Sequence, residues 1–595
     1  MKPTVTHHEL PLRTADFASL AEALDYAAKG QTGMNFFTSR GELGYSLPYS
    51  SLRDQAQTLA RRLQGLELPK GSRVALIAET NVDFVRFFFA CQYVGLVPVP
   101  LPISMNLGSH RAYVDHLRGM LIDCRAKIAM APSEWLPFLQ EASDWLGMRL
   151  VGDAQMFDDL PEFDVELVPA VREDLAYIQY TSGSTRFPRG VVITQETIMS
   201  NLAVIIRDGV QVRAGDRCVS WLPFYHDMGL VGLVLAPVAC QISVDYLRTR
   251  DFAMRPRLWL NRMTESQATI SFGPSFGYDL VSRRLRPGEA QRFDLSHWRV
   301  AGVGAEMIRP DVLERFATRL APAGFDRKAV VACYGMAECS LAVSFAPLES
   351  GLTVDHVDSD QLSRKGLATP VDRDSRQGKE THVSSYVDCG IPLPGFEMEV
   401  RTEAGARVPE RYAGTVYVKG PSVMSGYFND VEATSKSLSA DGWLNTGDIG
   451  YRVGDRLFLT GRRKDLIIIN GRNVWPQDLE YIAEDQPEVR PNDALAFSVP
   501  DGEKGERAVL VVQCRESDPE KRRDLIKRLK SLVYEELAVE CIVDLVPLHT
   551  LPRTSSGKLS RSWARLDFLG GNVRRKSNED EEPDTWTTVR QQVGS

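Results

Sequence analysis

SRVALIAETNVDFVRFFFACQYVGLVPVPL, residues Ser72–Leu101, is the stretch that decides the fold class. Arg73–Ala78 reads as a buried strand, a short apolar run with no polar face. Asn81 can cap a helix whose body is the apolar run Phe84–Val94, and Gly95 supplies the stop. Val97–Leu101 then begins the next extended segment. Strand, helix and strand in this order build a layered α/β body.

Working outward, 595 residues are too many for one compact core, so a large body plus a smaller unit is expected. The boundary falls after Gly461, where Arg462-Arg-Lys-Asp465 leads into the apolar strand Leu466–Ile469. The expected units are therefore 1–461, 462–573 and a charged tail, 574–595, that begins RRKSNEDEEPD and is not forced into a fold. No internal repeat is visible. Residues 349–381 are polar, rich in Asp and Arg, and read by themselves as a long solvated loop.

A net charge of −8 argues against a nucleic-acid partner, which calls for a basic face. The N-terminus, MKPTVTHHELPLR, lacks the regions of a signal peptide. The longest apolar run, Met228–Cys240, contains Pro237 and is shorter than the ~20 residues a membrane span needs. Nine cysteines without a CxxC pair form neither a disulfide framework nor a zinc site. A cytoplasmic location is expected.

The chemistry is carried by Tyr180-Thr-Ser-Gly-Ser-Thr-Arg-Phe-Pro-Arg-Gly190, which follows a strand at 176–179. Hydroxyls at Thr181, Ser182, Ser184 and Thr185, a bare backbone at Gly183 and the cation of Arg189 could cradle a polyphosphate. The GxxxxGK[ST] spacing of a P-loop and the GxSxG of a hydrolase elbow are both absent. Standing alone, the segment reads first as a Ser/Thr-rich surface turn.

It is followed in order by Trp221-Leu-Pro-Phe-Tyr-His-Asp-Met-Gly-Leu230, Gly304-Ala-Glu306, Tyr334-Gly-Met-Ala-Glu338, Asn445-Thr-Gly-Asp448, Gly461-Arg-Arg-Lys-Asp465 and Pro552-Arg-Thr-Ser-Ser-Gly-Lys558. This ordered series, from about Tyr45 to Arg561, resembles the adenylate-forming superfamily of acyl-CoA synthetases, peptide-synthetase adenylation domains and firefly luciferase. The resemblance implies a large N-terminal adenylate-forming domain of layered α/β subdomains and a small mobile α+β C-terminal domain, with ATP and Mg²⁺ between them. It places the 181–190 loop on the β- and γ-phosphates and makes Glu338 the magnesium ligand. Gly304, Ala305, Glu306 and Tyr334 match the adenine pocket, Asp448 and Arg462 the ribose contacts, and Gly335 and Met336 further ATP- or AMP-binding positions. Lys558 matches the catalytic lysine that bridges carboxylate and α-phosphate, His226 a histidine beside them, and Lys464 the hinge. For His226 a core histidine, and for Lys464 a charged turn residue, remain compatible readings.

Arg186 and Arg189 stand where many relatives have Gly and Lys. With LPFYHDMGL and Asp294-Leu-Ser-His-Trp-Arg299 they resemble the fatty acyl-AMP ligase branch, whose members pass the acyl group to an acyl carrier protein instead of coenzyme A. That branch carries an insertion after YGMAE that restrains the C-terminal domain, and residues 349–381 match it. Phe272-Gly-Pro-Ser-Phe-Gly-Tyr-Asp279 resembles the mouth of the acyl tunnel, with Phe276 and Tyr278 as candidates; plain core packing fits the same residues. Leu569-Gly-Gly571 is followed by Asn572-Val573 rather than the Asp-Ser of a carrier domain, so an acceptor would act in trans. The expected function is ATP-dependent activation of a medium- to long-chain fatty acid and its transfer to a separate carrier protein. An acyl-CoA ligase and a non-catalytic acyl or nucleotide sensor are the alternatives. Chain length, pathway and oligomeric state are not set by these motifs.

Overall fold

A computed structural model describes residues 10–103, 110–181, 188–372, 382–469, 472–501, 506–553 and 559–570. The Ser72–Leu101 reading is realised as the strand Arg73–Ile77, the helix Val82–Tyr93 and the strand Val97–Leu101. The Asn81 side chain accepts from Phe84 N at 3.0 Å, and Gly95 takes φ +63° just past the helix end. These strands join Ile128–Met130 and Leu150–Gly152 in an all-parallel four-stranded sheet.

A second, nine-stranded sheet forms the centre of the large body. Its middle strands, Val330–Gly335, Val300–Val303, Ile270–Gly273, Arg217–Ser220, Ser243–Tyr246 and Gly33–Phe37, run parallel, and antiparallel strands flank them at both edges. Parallel strands buried on both faces need near-continuous apolar sequence, and these six strands are buried along almost their whole length. One core cluster links the two sheets and their helices.

The antiparallel sheet Glu397–Arg401, Gly414–Lys419, Leu444–Val453 and Arg456–Arg462 completes the large body. Beyond it a separate core begins at Ile467, built on the strands Ala494–Pro500, Glu506–Gln513 and Cys541–Val546 and the helices Pro476–Glu484 and Pro519–Leu537. The chain is thus a mixed α/β protein with a small α+β unit at its C-terminal side.

The solvated-loop reading of 349–381 is corrected over its first part. Val354–Asp358 pairs antiparallel with Val383–Val387, and Ser359–Lys365 is a helix capped by Asp358. The pairing is long-range, so the local polarity of the segment hides it. Residues 373–381 lie outside the described residues. No helix among the described residues is long and apolar enough to cross a membrane.

Candidate active site

The carboxyl ends of adjacent parallel strands converge on one cleft, the place where open α/β sheets take ligands. Val330–Gly335 delivers Tyr334 and then Glu338, Val300–Val303 delivers Gly304–Glu306, and Arg217–Ser220 leads to His226. Gly335 is required for close approach, since a Cβ there would sit 1.8 Å from the Leu341 carbonyl oxygen. Ala305 takes φ +67°, and Glu306 accepts from Phe276 N at 3.0 Å. Met336 donates from its backbone to Leu341 O at 2.7 Å, which pins the turn between Tyr334 and Glu338.

Asp448 lies directly opposite Arg462 on paired strands. Its Oδ1 is 3.1 Å from Arg462 Nε, and its Oδ2 accepts from the Tyr334 hydroxyl at 2.7 Å. The Asp448 charge raises the Arg462 guanidinium above its ordinary pKa, against the opposing effect of burial. Glu338 accepts from the Tyr427 hydroxyl at 2.9 Å, and burial pushes its carboxyl above the usual range. Lys464, on a single turn after Arg462, is lowered by burial and by the Arg462 charge. Cations and a buried carboxylate thus sit within one small space.

The phosphate-loop expectation is only partly visible. The strands Leu175–Tyr180 and Gly190–Thr194 pair antiparallel, and Thr181 N donates to Arg189 O at 3.0 Å at the base of the loop. Arg189 lies over the Tyr427 ring, 5.3 Å from its centre. Ser182, Gly183, Ser184, Thr185 and Arg186 lie outside the described residues, as does Lys558. His226 caps a short helix, with Nδ1 2.7 Å from Asp227 Oδ1. Met228 N donates to that oxygen at 2.7 Å and to His226 Nδ1 at 3.4 Å.

Thr181, Arg189, His226, Glu338, Arg462 and Lys464 form the polar end of a cavity of about 670 Å³. Its other end is apolar, walled by Ile205, Val210, Ala236, Ile242 and Phe345. Two π-helical segments, Ile205–Gly209 and Val231–Leu235, frame this end; such bulges recur at functional sites because they widen a helix locally. A second cavity, of about 430 Å³, shares Ala305, Tyr334, Gly335, Arg462 and Lys464 with the first and adds Phe276, Glu306 and Asp448.

Read against known families, residues 24–428 match the AMP-binding enzyme family. The chain belongs to the AMP-binding enzyme family. A Caulobacter vibrioides relative with a provisional acyl-CoA synthetase name is 45% identical over 96% of this chain and 98% of its own. A Moorena producens relative, a medium-chain-fatty-acid–[acyl-carrier-protein] ligase, is 30% identical over 94% of this chain and 96% of its own. A solved structure from work on fatty acyl-adenylate ligases of E. coli and L. pneumophila has a TM-score of 0.90 at 48% identity, covering 94% of this chain and 100% of that one. The protein is an adenylate-forming enzyme.

In this AMP-binding enzyme the acyl-pocket candidates do not line the apolar cavity. Tyr278 is fully buried, donates to Gly302 O at 2.9 Å and packs edge-on against Trp259 and Phe316 in the aromatic core. Phe276 faces the second cavity instead. The apolar walls come from Ile205–Val212 and from the run Met228–Cys240. The apolar run Met228–Cys240, which starts two residues after His226, was the signal for part of them.

Two ionic anchors escaped the sequence reading because their partners are remote in the chain. Arg561 reaches both oxygens of Glu480, at 3.0 and 2.6 Å, and Asp465 at 3.1 Å. It ties the start of the helix Arg561–Leu569 to the turn that carries Lys464. Arg309 of the large body pairs with Glu484 of the small one at 2.7 Å and lies over the Tyr481 ring. Burial outweighs this pairing and lifts the Glu484 carboxyl to about 7. A carboxyl whose folded pKa exceeds its unfolded one binds extra protons when folded, so stability falls as pH rises through that window. Thermal unfolding should therefore lose stability between the ordinary glutamate range and pH 7, by at most about 1.4 kcal/mol per pH unit from this group. Glu484→Gln should flatten that slope; an unchanged slope would reject the assignment.

Proposed function

We propose that the protein activates a fatty acid with ATP, releasing pyrophosphate, and passes the acyl group to the phosphopantetheine of a separate acyl carrier protein. The observation that carries this reading is the continuity of the larger cavity, polar and cationic at one end, apolar at the other. A molecule with a carboxylate head and a hydrocarbon tail suits it, and each buried methylene contributes ~0.8 kcal/mol.

In this reading Arg462, Lys558 and the 181–190 loop supply the positive charge needed to bring two anions together. The fatty carboxylate oxygen bonds to the α-phosphorus as the bond to the pyrophosphate oxygen breaks. Asp448 accepts from the ribose hydroxyls, and the 304–306 turn with Tyr334 flanks the base. His226, which lines the same cavity, stands beside the reacting groups. Glu338 fits Mg²⁺, because a single half-buried carboxylate among phosphate oxygens and waters meets that ion's preference. The metal would neutralise phosphate charge. The units 1–461 and 462–573 act as two domains, with Lys464 at the hinge.

Support for a carrier-protein acceptor is the Moorena relative's named activity and the folded insertion. Asp360 on its helix pairs with Arg472 of the small unit at 3.0 Å, which restrains that unit. The Caulobacter relative's name favours a second reading, an acyl-CoA ligase. Mass spectrometry of products from a fatty-acid series, with coenzyme A and carrier protein in separate reactions, discriminates them. Carrier loading with little acyl-CoA is expected, and efficient acyl-CoA synthesis would reverse the assignment. Deleting 349–381 or introducing Asp360→Lys should raise turnover with coenzyme A.

Gly232 sets the width of the apolar end. A Cβ there would meet only the flexible tip of Leu341, at 3.3 Å, so a larger side chain can enter the cavity. Gly232→Phe is expected to suppress adenylation of long-chain acids at least ~10-fold relative to short ones, each excluded methylene forfeiting its burial. An unaltered chain-length profile would move the acyl site elsewhere.

A further inference from the structure

A surface corner on the outer side of the cleft wall combines features that the adenylation chemistry does not use. At the amino ends of the parallel strands Ile128–Met130 and Leu150–Gly152, two loops run side by side, joined by Arg149 N donating to Lys127 O at 2.8 Å. Trp145 projects from one of them and is 100% exposed. Its backbone is left-handed, with φ +71°, and the next residue, Leu146, packs into the core. The loop is therefore held in a shape that turns the indole outward. Ile122, at the end of the neighbouring helix His110–Asp123, is 56% exposed.

The same two loops carry three cations. Arg125, Lys127 and Arg149 are all exposed, and no ion pair joins any of them to a carboxylate among the described residues. Arg73 adds a fourth charge beneath them, its guanidinium spent on the carbonyls of Gly71, Cys124 and Arg125. The acids nearby include Asp144, Asp123 and Asp430; Asp123 is occupied by the Tyr180 hydroxyl at 2.6 Å, and Asp430 lies 3.7 Å from Arg189. A local positive excess stands out on a chain of net charge −8. Tyr180 also lines the larger cavity, so the corner and the site share a wall.

We propose that this corner docks the enzyme on an anionic phospholipid surface. An indole is suited to the headgroup boundary, where its ring is half apolar and its N–H stays wet. Basic residues near an anionic leaflet add to that anchor, and a peripheral protein needs two such signals together. The purpose of the docking rests on the fatty-acid reading, since a long-chain acid resides mainly in membranes; the docking itself does not.

The test is co-sedimentation of the full chain with vesicles of equal parts phosphatidylglycerol and phosphatidylcholine, and with phosphatidylcholine alone. Binding to the anionic vesicles only is expected. The triple variant Arg125→Glu/Lys127→Glu/Arg149→Glu should weaken it by about 10²-fold, and Trp145→Ser should weaken it without altering its salt dependence. Both variants should adenylate a water-soluble short-chain acid at the parental rate, which shows that they fold. A parental protein that ignores anionic vesicles, or variants that bind them as well as the parent, would overturn the proposal. So would variants that lose only self-association, which would mark the corner as a protein contact. Failure here with fatty-acid adenylation intact leaves the catalytic reading standing. Absence of that adenylation would sink the catalytic reading without touching the vesicle result.

Discussion

Lys558→Ala is expected to slow acyl-adenylate formation by ~10²–10³ while leaving the melting temperature unchanged. The expectation rests on where the neighbouring residues stand. Arg553 and Leu559, which flank 554–558, pair as an antiparallel bridge, and both line the smaller cavity beside Tyr334, Arg462 and Asp448. Arg561 then holds the following helix to Glu480 and Asp465. Leu559, the residue that follows Lys558 in the chain, thus lines the cavity where charge would build on phosphorus. A donor used only in the transition state lowers kcat and kcat/KM together, with little change in the KM for ATP. A purely structural lysine would instead change stability and KM. Single-turnover measurement of acyl-adenylate, together with thermal melting, separates the two; undiminished adenylation would reject the assignment.

Asp448→Ala should act differently, on ATP binding. Asp448 is almost completely buried and holds Tyr334 and Arg462 in place from its two oxygens. Its removal deletes the acceptor for the ribose hydroxyls and leaves a buried tyrosine hydroxyl and a guanidinium without their partner. Hydrogen bonds to a charged group contribute about 1.5–3 kcal/mol each, so the KM for ATP should rise ~10²-fold. Asp448→Asn keeps one acceptor and should recover part of that loss. An unchanged KM for ATP in the alanine variant would remove Asp448 from the nucleotide site.

How much of this was legible in the sequence depended on whether the signal was local. The strand, helix and strand of Ser72–Leu101 were readable because Asn81 and Gly95 mark helix ends chemically and the apolar runs have the right lengths. Tyr334, Glu338 and Asp448 could be nominated because short motifs keep their spacing in the chain, although the hydrogen bond from Tyr334 to Asp448 spans 114 positions and is invisible there. Arg561 and Arg309 were missed for the same reason. Each is an ordinary arginine until folding brings Glu480 or Glu484 beside it. Tyr278 shows the reverse error. Its motif resembles a tunnel mouth, yet aromatic packing against Trp259 and Phe316 takes it into the core, while the wall of the apolar cavity comes from Met228–Cys240. The insertion was misread as solvated because its strands find their partners only across 373–381.

Two further features bear on how the small unit is held. Arg309–Glu484 and Asp360–Arg472 both link it to the large body, one through a buried pair and the other through a more exposed one. An exposed pair contributes little by itself, typically up to ~1 kcal/mol. On the proposed reading the whole segment 349–381, more than Asp360 alone, would restrain the small unit, and its deletion should exceed Asp360→Lys in its effect on coenzyme A turnover.

The most direct measurement is exchange of labelled pyrophosphate into ATP by the purified full-length protein with magnesium, with and without fatty acids of graded length. Exchange that requires a fatty acid, rises with chain length until the apolar cavity is filled and is lost in Lys558→Ala is the expected result. No exchange with any fatty acid, or exchange indifferent to their presence, would contradict the assignment of the cleft to fatty-acid adenylation.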